Sequence, residues 1–377
     1  MNEAFMARAI ELAERGRGYT ATNPSVGAVV VKDGKIVGEG WHKNYGGPHA
    51  EPNALSASGE AVKGADLYVT LEPCSTTGKT PPCTSAIINA GIRRVFVGVI
   101  DPNPKHSGLA LTILREAGLD VYAGLLAQEC AGLIEDFTKL TLTGFPYVTM
   151  KVAQSLDGKI ATHTGESKWI TSPESLLRVH ELRKKADAVL IGIGTALVDN
   201  PSLTVRHVDT DRQPARVILD GDCRLPAESA LARSANEVET IVLTKKESCK
   251  NAEILKNLGV KVLGIACAGE RLDLGLVLME LRAMNMMNIL VEGGSKVFSA
   301  FMESGFTDKL HLFTAPFVIG GEKAASSFGG SGLENLKNAR RLIDYELNKS
   351  GEDIWLTGRF TDYTGEVLKL FSDRKGS

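Results

Sequence analysis

The pattern of apolar and polar positions predicts an alternation of helices and strands from the start of the chain. Residues 3 to 15 carry apolar side chains at helical spacing, and glycines end the run. Two β-rich runs then flank Lys32 to Lys35, where the Asp-Gly pair is typical of a hairpin turn. Helices and strands alternate to residue 125, and residues 93 to 101 are almost wholly apolar, as in a sheet covered on both faces. These features predict a three-layer α/β domain.

The pattern breaks and restarts near the middle of the chain. Residues 126 to 140 predict one more helix, and Gly144 and Pro146 then interrupt the alternation. A fresh strand, "YVTMKVAQS", follows directly. We therefore expect two domains, 1–145 and 146–377, although a single long domain is the alternative.

The second domain alternates in the same way as the first. Residues 186 to 199 are expected to form a buried strand and then a turn. Further strands and helices lead to 309 to 321, which predict one long strand ending in a glycine pair. This order of elements is typical of a second α/β domain with a largely parallel sheet.

Length, composition and charge narrow the class of protein. A chain of 377 residues exceeds one ordinary core and fits two domains. Its 43% apolar and 23% charged residues are typical of a soluble globular protein, and a net charge of −2 argues against a nucleic-acid partner. The 6 cysteines are unevenly spaced, which favours a reducing cytoplasm over a disulfide framework. The N-terminus lacks a signal-peptide core and no apolar run of about 18 residues occurs, so we expect no membrane partner.

One constellation, formed by "HAEPNAL" and "PCSTTGKTPPC", carries candidate metal chemistry. A catalytic zinc site uses three imidazole or thiolate ligands and keeps a fourth position open. His49, Cys74 and Cys83 supply such a set. Glu51 would not be a ligand; it could take a proton from a zinc-activated water and pass it to a leaving amine. This chemistry suits hydrolytic deamination of a ring carbon, whereas a plain helix start followed by a loop is the alternative.

The other cysteines and two histidines give weaker signals. His42 and His106 are either substrate contacts or surface histidines. Four cysteines show no paired spacing and are interpreted as structural: Cys130, Cys223, Cys249 and Cys267.

The second domain lacks the dinucleotide fingerprint, since no G-x-G-x-x-G follows a first strand. Gly293 and Gly294 nevertheless lie between an apolar strand and a helix. Glycine there lets the backbone approach a ligand closely, and the helix N-terminus offers free N–H groups to a phosphate. A plain turn is the alternative interpretation.

The first constellation resembles the zinc nucleobase deaminases, in which H-x-E is followed by a Pro-Cys pair and a second cysteine. Here eight residues, rather than two, separate the cysteines, and this spacing with "GKTPPC" resembles the riboflavin-pathway pyrimidine deaminases. "TNPSVGAVVV" matches the same pattern, and the resemblance implies that Asn23 contacts the pyrimidine ring. "DPNPKHSG" also matches, but Leu109 and Ala110 stand where the family has a second glycine, which weakens a phosphate-binding role for that loop.

The second domain carries four further matches: "MKVAQSLDGKIAT", "SKWITS", "HELRKKADAVLIGIGTALVDNPSLTVR" and "VEGGSKVF". Together they resemble the reductase domain of the bifunctional riboflavin-biosynthesis proteins, so that the resemblance covers nearly the whole chain. It implies a cytidine-deaminase-like α/β domain that binds Zn²⁺, followed by a dihydrofolate-reductase-like α/β domain that uses NADPH.

The resemblance also implies roles for individual residues of the second domain. Guanidinium groups pair with phosphate in a bidentate way, so Arg183 and Arg206 are candidate phosphate clamps, with surface ion pairs as the alternative. Lys151 and Asp157 lie near the same site by pattern, without an assigned role. The implied cofactor-binding positions are Ala153, Trp169, Thr195, Asp199, Gly293, Gly294, Ser295, Lys296, Val297 and Phe298. The implied substrate-binding positions are Ser167, Arg183, Leu203, Arg206 and Glu292.

The resemblance therefore implies a two-step enzyme of riboflavin synthesis that self-associates as a homo-oligomer and acts on a phosphorylated pyrimidine. Zinc-dependent deamination of 2,5-diamino-6-(5-phosphoribosylamino)pyrimidin-4-one would precede reduction of a ribosyl group to ribityl by NADPH. One rival is a nucleoside or tRNA-adenosine deaminase with an unrelated fused domain, against which the cysteine spacing and the charge balance argue. Another is a non-catalytic zinc scaffold, which would need a fourth protein ligand. The sequence reveals neither a residue for the 2′-phosphate of NADPH nor a proton donor for the reduction.

Overall fold

The computed structural model describes residues 2–76, 81–330 and 332–372, and these form two compact units. The first unit contains the chain up to Phe145 together with the segment from Asp362 onward, and the second is Pro146–Thr361. Within the described chain, no helix is both long enough and apolar enough to span a bilayer.

The first unit begins with a helix and a hairpin and continues with alternating strands and helices. Its helices are α1 (Glu3–Glu14), α2 (Ala50–Ser58), α3 (Cys83–Asn89), α4 (Leu109–Glu116), α5 (Ala127–Leu133), α6 (Glu135–Thr143) and the C-terminal α13 (Tyr363–Ser372), with a 3-10 turn at Gly59–Val62. Its strands are β1 (Gly27–Lys32), β2 (Lys35–Trp41), β3 (Asp66–Leu71), β4 (Arg94–Val99) and β5 (Asp120–Ala123).

These strands form one sheet in the order β2-β1-β3-β4-β5. β1 pairs antiparallel with β2 and β3, whereas β3, β4 and β5 are parallel. Between β1 and β2, Asp33 and Gly34 have φ of 51° and 74°. Positive φ at both central residues is what a tight two-residue hairpin turn requires, and the predicted Asp-Gly turn is confirmed.

Helices cover both faces of this sheet. On one face α1 and α5 pack on side chains such as Val29 and Phe96. On the other face α2, α3 and α4 pack on Val30 and Val95. Successive strand residues such as Val29 and Val30 thus point into opposite cores, as the alternation of a strand dictates. The predicted three-layer α/β domain is confirmed.

Helix α13 lies with the first unit, although the expected second domain extended to residue 377. Val367 is buried in the core that α1 and α5 share. Thr364 Oγ1 donates a hydrogen bond of 3.0 Å to the buried Glu135. An amphipathic helix needs an apolar partner, and α5 and α6 supply it. The expectation for residues 362 onward was therefore wrong.

The second unit contains one large sheet with helices on its faces and a separate sheet of two short strands, Cys267–Ala268 and Arg271–Leu272. Its strands are β6 (Tyr147–Ser155), β7 (Ala188–Gly192), β8 (Ala215–Leu219), β9 (Thr240–Thr244), β10 (Lys261–Gly264), β11 (Cys267–Ala268), β12 (Arg271–Leu272), β13 (Asn288–Gly293), β14 (Lys309–Ala315), β15 (Asp344–Ser350) and β16 (Asp353–Arg359). Its helices are α7 (Pro173–Lys185), α8 (Ile193–Asp199), α9 (Ala230–Arg233), α10 (Lys250–Asn257), α11 (Leu274–Ala283) and α12 (Ser295–Glu303), with a 3-10 turn at Leu336–Asn338.

Within the described chain the large sheet has the order β10-β9-β8-β7-β13-β6-β14-β16-β15. Every pair from β10 to β14 is parallel, and β16 and β15 add antiparallel at one edge. The predicted, largely parallel sheet is confirmed. Because the parallel strands all end at the same edge, the loops that follow them meet there, which is where open α/β sheets bind ligands.

Three element predictions differ from the structure. The helix expected over 126 to 140 is divided into α5 and α6, because Ile134 (φ −118°) leaves the helical conformation. The turn expected within 186 to 199 is the short helix α8. The long strand expected over 309 to 321 ends before Pro316, which has no N–H group with which to continue the ladder.

Candidate active sites

In the first unit, glycines of β2 bring the start of α2 directly onto the sheet. A Cβ atom on Gly38 or Gly40 would lie 2.3 or 2.4 Å from a backbone carbonyl oxygen of α2. Side chains at these positions would push the helix away, so glycine is required for the close approach. His49 is the N-cap of α2 and Glu51 lies in its first turn. The packing thereby fixes both predicted residues.

The three predicted metal ligands converge from three different elements. Cys74 follows β3, and Cys83 begins α3. Nδ1 of His49 lies 3.5 Å from Sγ of Cys74 and 3.3 Å from Sγ of Cys83, and the amide of Cys83 donates to Sγ of Cys74 at 3.3 Å. The ligand atoms lie within 4.8 Å of one another, and in the described part of the chain no fourth His, Cys, Asp or Glu completes the group.

Part of the motif between the cysteines lies outside the described residues, namely Thr77, Gly78, Lys79 and Thr80. The donor set itself fits zinc, since two thiols and one imidazole are ligands that zinc prefers. A hydrogen bond with Cys83, opposed by burial and aided by His49, lowers the pKa of Cys74 to about 4 and favours the metal-binding thiolate. Three protein ligands leave an open position, as in a catalytic site and unlike a structural scaffold.

Glu51 lies beside these ligands without belonging to the group. Its side chain is buried, with 3% of the residue exposed. Burial raises its pKa to about 7, against the opposing effect of His49. A carboxyl group with a pKa near neutrality can both accept and release a proton at physiological pH. This is the property that the sequence analysis required of Glu51.

Asn23 is held by a histidine that is not on the surface. Nδ2 of Asn23 donates to Nε2 of His42 (3.1 Å), and Nδ1 of His42 donates to the carbonyl of Pro48 (3.1 Å). His42 is 2% exposed, and burial lowers its pKa. The interpretation of His42 as a surface residue was wrong: the neutral ring fixes the amide of Asn23. His106 is half-buried, and its Nδ1 has no hydrogen-bond partner among the described residues.

The loop at 101–108 is organised by a buried carboxylate. Glu72 accepts the amides of Asp101 (3.1 Å), Gly108 (2.7 Å) and Ala110 (3.0 Å). Two of these amides lie at the start of α4, so Glu72 already occupies the N–H groups that a phosphate would need. The structure gives a second reason, besides the missing glycine, against a phosphate-binding role for this loop.

In the second unit, a cavity of about 1150 Å³ opens at the carboxyl edge of the sheet. It brings together residues that follow β7 with the segment where β13 runs into α12. The predicted site residues in its wall are Ser167, Thr195, Asp199, Gly293, Gly294, Ser295, Lys296 and Val297. The predicted residues outside that wall are Ala153, Trp169, Arg183, Leu203, Arg206, Glu292 and Phe298.

The glycines in this wall allow two chain segments to pass closely. Gly294 has φ of 82°, and a Cβ there would lie 2.9 Å from Oγ1 of Thr195. A Cβ on Gly192 would lie 2.7 Å from Cγ2 of Val297. No side chain caps the N-terminus of α12, so its first N–H groups face the cavity region without a side-chain acceptor. The segment therefore suits an anionic ligand better than a plain turn would.

A buried charge network precedes this glycine pair. Nε and Nη2 of Arg183 donate to the two carboxylate oxygens of Glu292 at 2.5 and 2.8 Å, and Nζ of Lys151 lies 4.0 Å from the same carboxylate. Burial would raise the pKa of Glu292, but Arg183 and then Lys151 lower it to about 2. Burial lowers the pKa of Lys151, and Glu292 opposes this effect. Glu292 is thus a fixed anion beside an amine that releases its proton more readily than usual.

The two predicted phosphate clamps differ in their surroundings. Arg183 is 8% exposed and also donates to the carbonyl of Thr204 (3.0 Å), so its planar fork is already occupied. It is a buried ion-pair partner, neither a surface pair nor a free clamp. Arg206 is exposed and donates to the hydroxyls of Ser202 and Thr204, with no carboxylate partner among the described residues. Only Arg206 has a guanidinium open to an anion.

Other predicted residues of this unit are spread over different environments. Oγ of Ser167 donates to Oδ1 of Asp199 (2.7 Å), which links two predicted positions. Trp169 is 73% exposed. Leu203 and Phe298 are both buried, so their side chains pack in the protein and only their backbone atoms could meet a ligand.

Sequence reasoning left the roles of two residues open or unnoticed. Asp157 accepts the amides of Ile319 (3.0 Å) and Gly320 (2.8 Å), and so holds the loop after β14. His180 is fully buried, its Nδ1 accepts the amide of Arg206 (3.2 Å), and burial lowers its pKa to about 4. These contacts join positions far apart in the chain and leave no local signal in the sequence.

Comparisons with known proteins agree with this division. The model for the cytidine and deoxycytidylate deaminase zinc-binding region matches residues 1–99, and the RibD C-terminal domain matches residues 146–356. The fold and the sites define the class: a zinc-dependent deaminase fused to a reductase. Riboflavin biosynthesis protein RibD of Aquifex aeolicus is 46% identical over 354 residues, covering 94% of this chain and 97% of that protein. RibD of Bacillus amyloliquefaciens is 46% identical, covering 95% and 96%.

A solved structure is similar over the same length. The diaminohydroxyphosphoribosylaminopyrimidine deaminase/5-amino-6-(5-phosphoribosylamino)uracil reductase of Thermotoga maritima is 39% identical, with a TM-score of 0.83 and coverage of 95% of this chain and 98% of that one. The chain belongs to the RibD family of riboflavin biosynthesis proteins. It is a bifunctional hydrolase and oxidoreductase that uses zinc in the deaminase domain and NADPH in the reductase domain.

Proposed function

We propose that the first unit removes the 2-amino group of 2,5-diamino-6-(5-phosphoribosylamino)pyrimidin-4-one. The second unit then reduces the ribosyl group of 5-amino-6-(5-phosphoribosylamino)uracil to ribityl. The observation that carries this proposal is the convergence of His49, Cys74 and Cys83, with Glu51 buried beside them, in a chain whose second unit has a separate ligand cavity. The two activities named for the Thermotoga maritima protein support the same pair of reactions.

In the deamination, His49, Cys74 and Cys83 would hold the metal through Nδ1 and the two Sγ atoms. Zinc bound there supplies a Lewis acid that activates water. The Glu51 carboxylate accepts a proton and returns it to the amino group, which leaves as ammonia while the ring carbon becomes a carbonyl. Asn23, whose Nδ2 is engaged by His42, keeps its amide oxygen for an N–H group of the pyrimidine.

In the reduction, the chain orients both partners and moves one proton. NADPH supplies the hydride. The Lys151 ammonium would donate a proton to the ring oxygen of the ribosyl group as its C1–O bond opens, which would leave C1 able to accept a hydride. Glu292 holds Lys151 in place, and Arg183 locks Glu292 through its two hydrogen bonds. This assigns the proton donor that the sequence did not reveal.

Binding of the two ligands would use the remaining predicted positions. The segment Gly293 to Val297, where no side chain caps the start of α12, would receive the pyrophosphate of the cofactor, and Thr195 lines the same part of the cavity. The open guanidinium of Arg206 receives the phosphate of the substrate. Ser167, linked to Asp199, positions the substrate where the two ligands meet.

We extend the proposal to a cytoplasmic homo-oligomer. None of the six cysteines, all within the described residues, is bridged, which agrees with a reducing compartment. On the edge strand β15, Tyr345 and Leu347 expose 60% and 63% of their surface. An exposed apolar edge strand of this kind tends to pair with another chain. We infer that a second copy of the chain packs against this edge. Measuring the molar mass in solution by light scattering tests whether the protein is an oligomer.

The deciding experiment follows both reactions in the purified chain. With the diaminopyrimidinone substrate and zinc, we expect ammonia release followed by NADPH oxidation. A zinc chelator should stop both, yet leave NADPH oxidation on the deaminated substrate unchanged, and added zinc should restore the first step. The absence of turnover with zinc present would overturn the pathway assignment.

A further inference from the structure

The cavity of the second unit extends beyond the glycine-rich start of α12 to a cationic wall outside all the family motifs quoted above. Arg224 follows β8 and Lys245 follows β9, and both line the cavity. We propose that Arg224 and Lys245 bind the 2′-phosphate of NADPH and thereby select it over NADH. The inference rests on the proposed function, because it requires the cofactor pyrophosphate to lie at Gly293 to Val297.

The strand order determines which end of the cofactor meets this wall. Along the sheet, β6 with Lys151 lies on one side of β13, and β7, β8 and β9 follow on the other side. A nicotinamide near Lys151 and a pyrophosphate at the end of β13 direct the adenosine over the ends of β7 and β8. Since neighbouring strands are about 4.8 Å apart, the end of β8 lies roughly 10 Å from that of β13. The adenosine ribose follows the pyrophosphate directly, and the long side chains of Arg224 and Lys245 can reach from the strand ends towards its 2′-phosphate.

The loop that presents Arg224 is held before any ligand arrives. One oxygen of the buried Asp220 accepts the amides of Arg224 (2.5 Å) and Leu225 (2.8 Å). The amide of Lys245 donates to the carbonyl of Gly221 at 3.2 Å, which ties the loop after β8 to the loop after β9. The two cationic residues are therefore fixed relative to each other at their backbones, and little order is lost on binding.

The charges of the wall favour a dianion over a hydroxyl group. Asp222 could accept a hydrogen bond from a ribose 2′-hydroxyl, as acidic residues do in NAD-dependent enzymes. Its carboxylate, however, pairs with Lys245 (3.4 Å) and Lys246 (3.1 Å). The side chain of Arg224 has no hydrogen bond or ion pair in the described part of the chain. Of these groups Arg224, Lys245 and Asp222 line the cavity, so two cations face one carboxylate there and one positive charge remains for a phosphate.

The test compares two nucleotide probes that differ only in this phosphate, by calorimetry in the absence of substrate. The wild-type chain should bind 2′,5′-ADP more tightly than 5′-ADP. Replacing Arg224→Ala or Lys245→Ala should weaken 2′,5′-ADP binding about tenfold or more, as expected for a charge-assisted contact. Binding of 5′-ADP should change less than about twofold to threefold, since that probe lacks the group recognised.

Arg271→Ala is the matched control, because Arg271 lines the same cavity but faces Glu303 at 3.9 Å. This variant should keep the wild-type preference for 2′,5′-ADP. If the Arg224 and Lys245 variants lost affinity equally for both probes, or lost none, the inference would be overturned. The proposed function would still stand if the chain binds NADPH. Failure of the wild-type chain to bind NADPH would instead overturn both.

Discussion

The two sites of this protein are assembled from the chain in opposite ways. In the first unit the chemistry lies between residues 49 and 83, and its groups are placed by helix starts and by one strand end. In the second unit Lys151, Arg183 and Glu292 come from β6, α7 and β13 and meet only in the folded sheet. The first site is therefore local and specified by side-chain type, whereas the second depends on tertiary structure and on backbone glycines.

The sites also differ in how they handle buried charge. The first gathers thiols and an imidazole that a metal ion can satisfy. The second satisfies its charges internally, with a carboxylate held by a guanidinium and an amine. Removal of a group should therefore affect metal binding in the first unit and folding stability in the second.

The largest effect on stability should follow Glu292→Gln. This change leaves the buried Arg183 without its anion, which costs about 3–5 kcal/mol in comparable pairs. We expect the second unit to unfold at lower urea concentration and NADPH oxidation to be lost, while ammonia release continues. Glu270→Gln removes an exposed carboxylate from the wall of the same cavity and should shift stability by less than about 0.5 kcal/mol.

The measurement is hydrogen exchange at increasing urea concentration, resolved in peptides from each unit, which reports the unfolding of each unit separately. Equal destabilisation of both units, or an unchanged second unit in the Glu292 variant, would contradict the distinction between the two sites.

The two units should also differ, by a smaller amount, in how their folding stability depends on pH. Burial lowers the pKa of His180 to about 4 and that of His311 to about 3, from an ordinary 6.5. Both histidines are neutral in the fold but protonate when unfolded, so stability present above pH 6.5 is lost as the pH falls toward the folded pKa. Between pH 7 and pH 5 this amounts to about 2 kcal/mol for each. In the first unit the lowered pKa of His42 acts in the same direction, but burial raises the pKa of Glu51 to about 7 and that of Asp101 to about 6. These two carboxyl groups add stability as the pH falls through those values and oppose the loss.

Hydrogen exchange at pH 7 and pH 5, corrected for the intrinsic rate, should therefore show protection lost in the strands of the second unit first. His311→Gln keeps an acceptor for Nε1 of Trp355, which lies 3.3 Å from the histidine, and should remove about half of this pH dependence. Earlier loss of protection in the first unit would show that the assigned histidines do not control acid stability.

The first site, which is local in the chain, was more predictable from the sequence than the second, which depends on tertiary structure. The cluster of His49, Cys74 and Cys83 was predictable because the residue types and short spacing are themselves the signal. The glycines of β2 position the start of α2, which carries His49 and Glu51. The pairing of His42 with Asn23 was missed, because nothing in the sequence distinguishes a buried histidine from an exposed one at that position. Helix α13 was misplaced because an amphipathic pattern reveals an apolar face but not its partner.

For the second unit, the parallel sheet and the glycine pair were predictable from strand periodicity and from the strand-to-helix junction. The network around Glu292 was not, because Glu292 lies more than a hundred residues from Lys151 and Arg183 in the chain and each of the three resembles an ordinary surface charge. Arg224 and Lys245 were also missed, because the contacts that hold their loops, from Asp220 to the amide of Arg224 and from Gly221 to the amide of Lys245, form only in the folded sheet.

The most direct test of the account is Glu51→Gln, assayed for both reactions. We predict that ammonia release falls at least about 10²-fold, that zinc content is retained, and that NADPH oxidation on the deaminated substrate stays at the wild-type rate. Glu60→Gln, an exposed change nearby, should leave both rates unaltered. Ammonia release near the wild-type rate in the Glu51 variant, or an equal loss of both activities, would contradict the claim that this chain holds two independent sites with Glu51 as the proton carrier of the first.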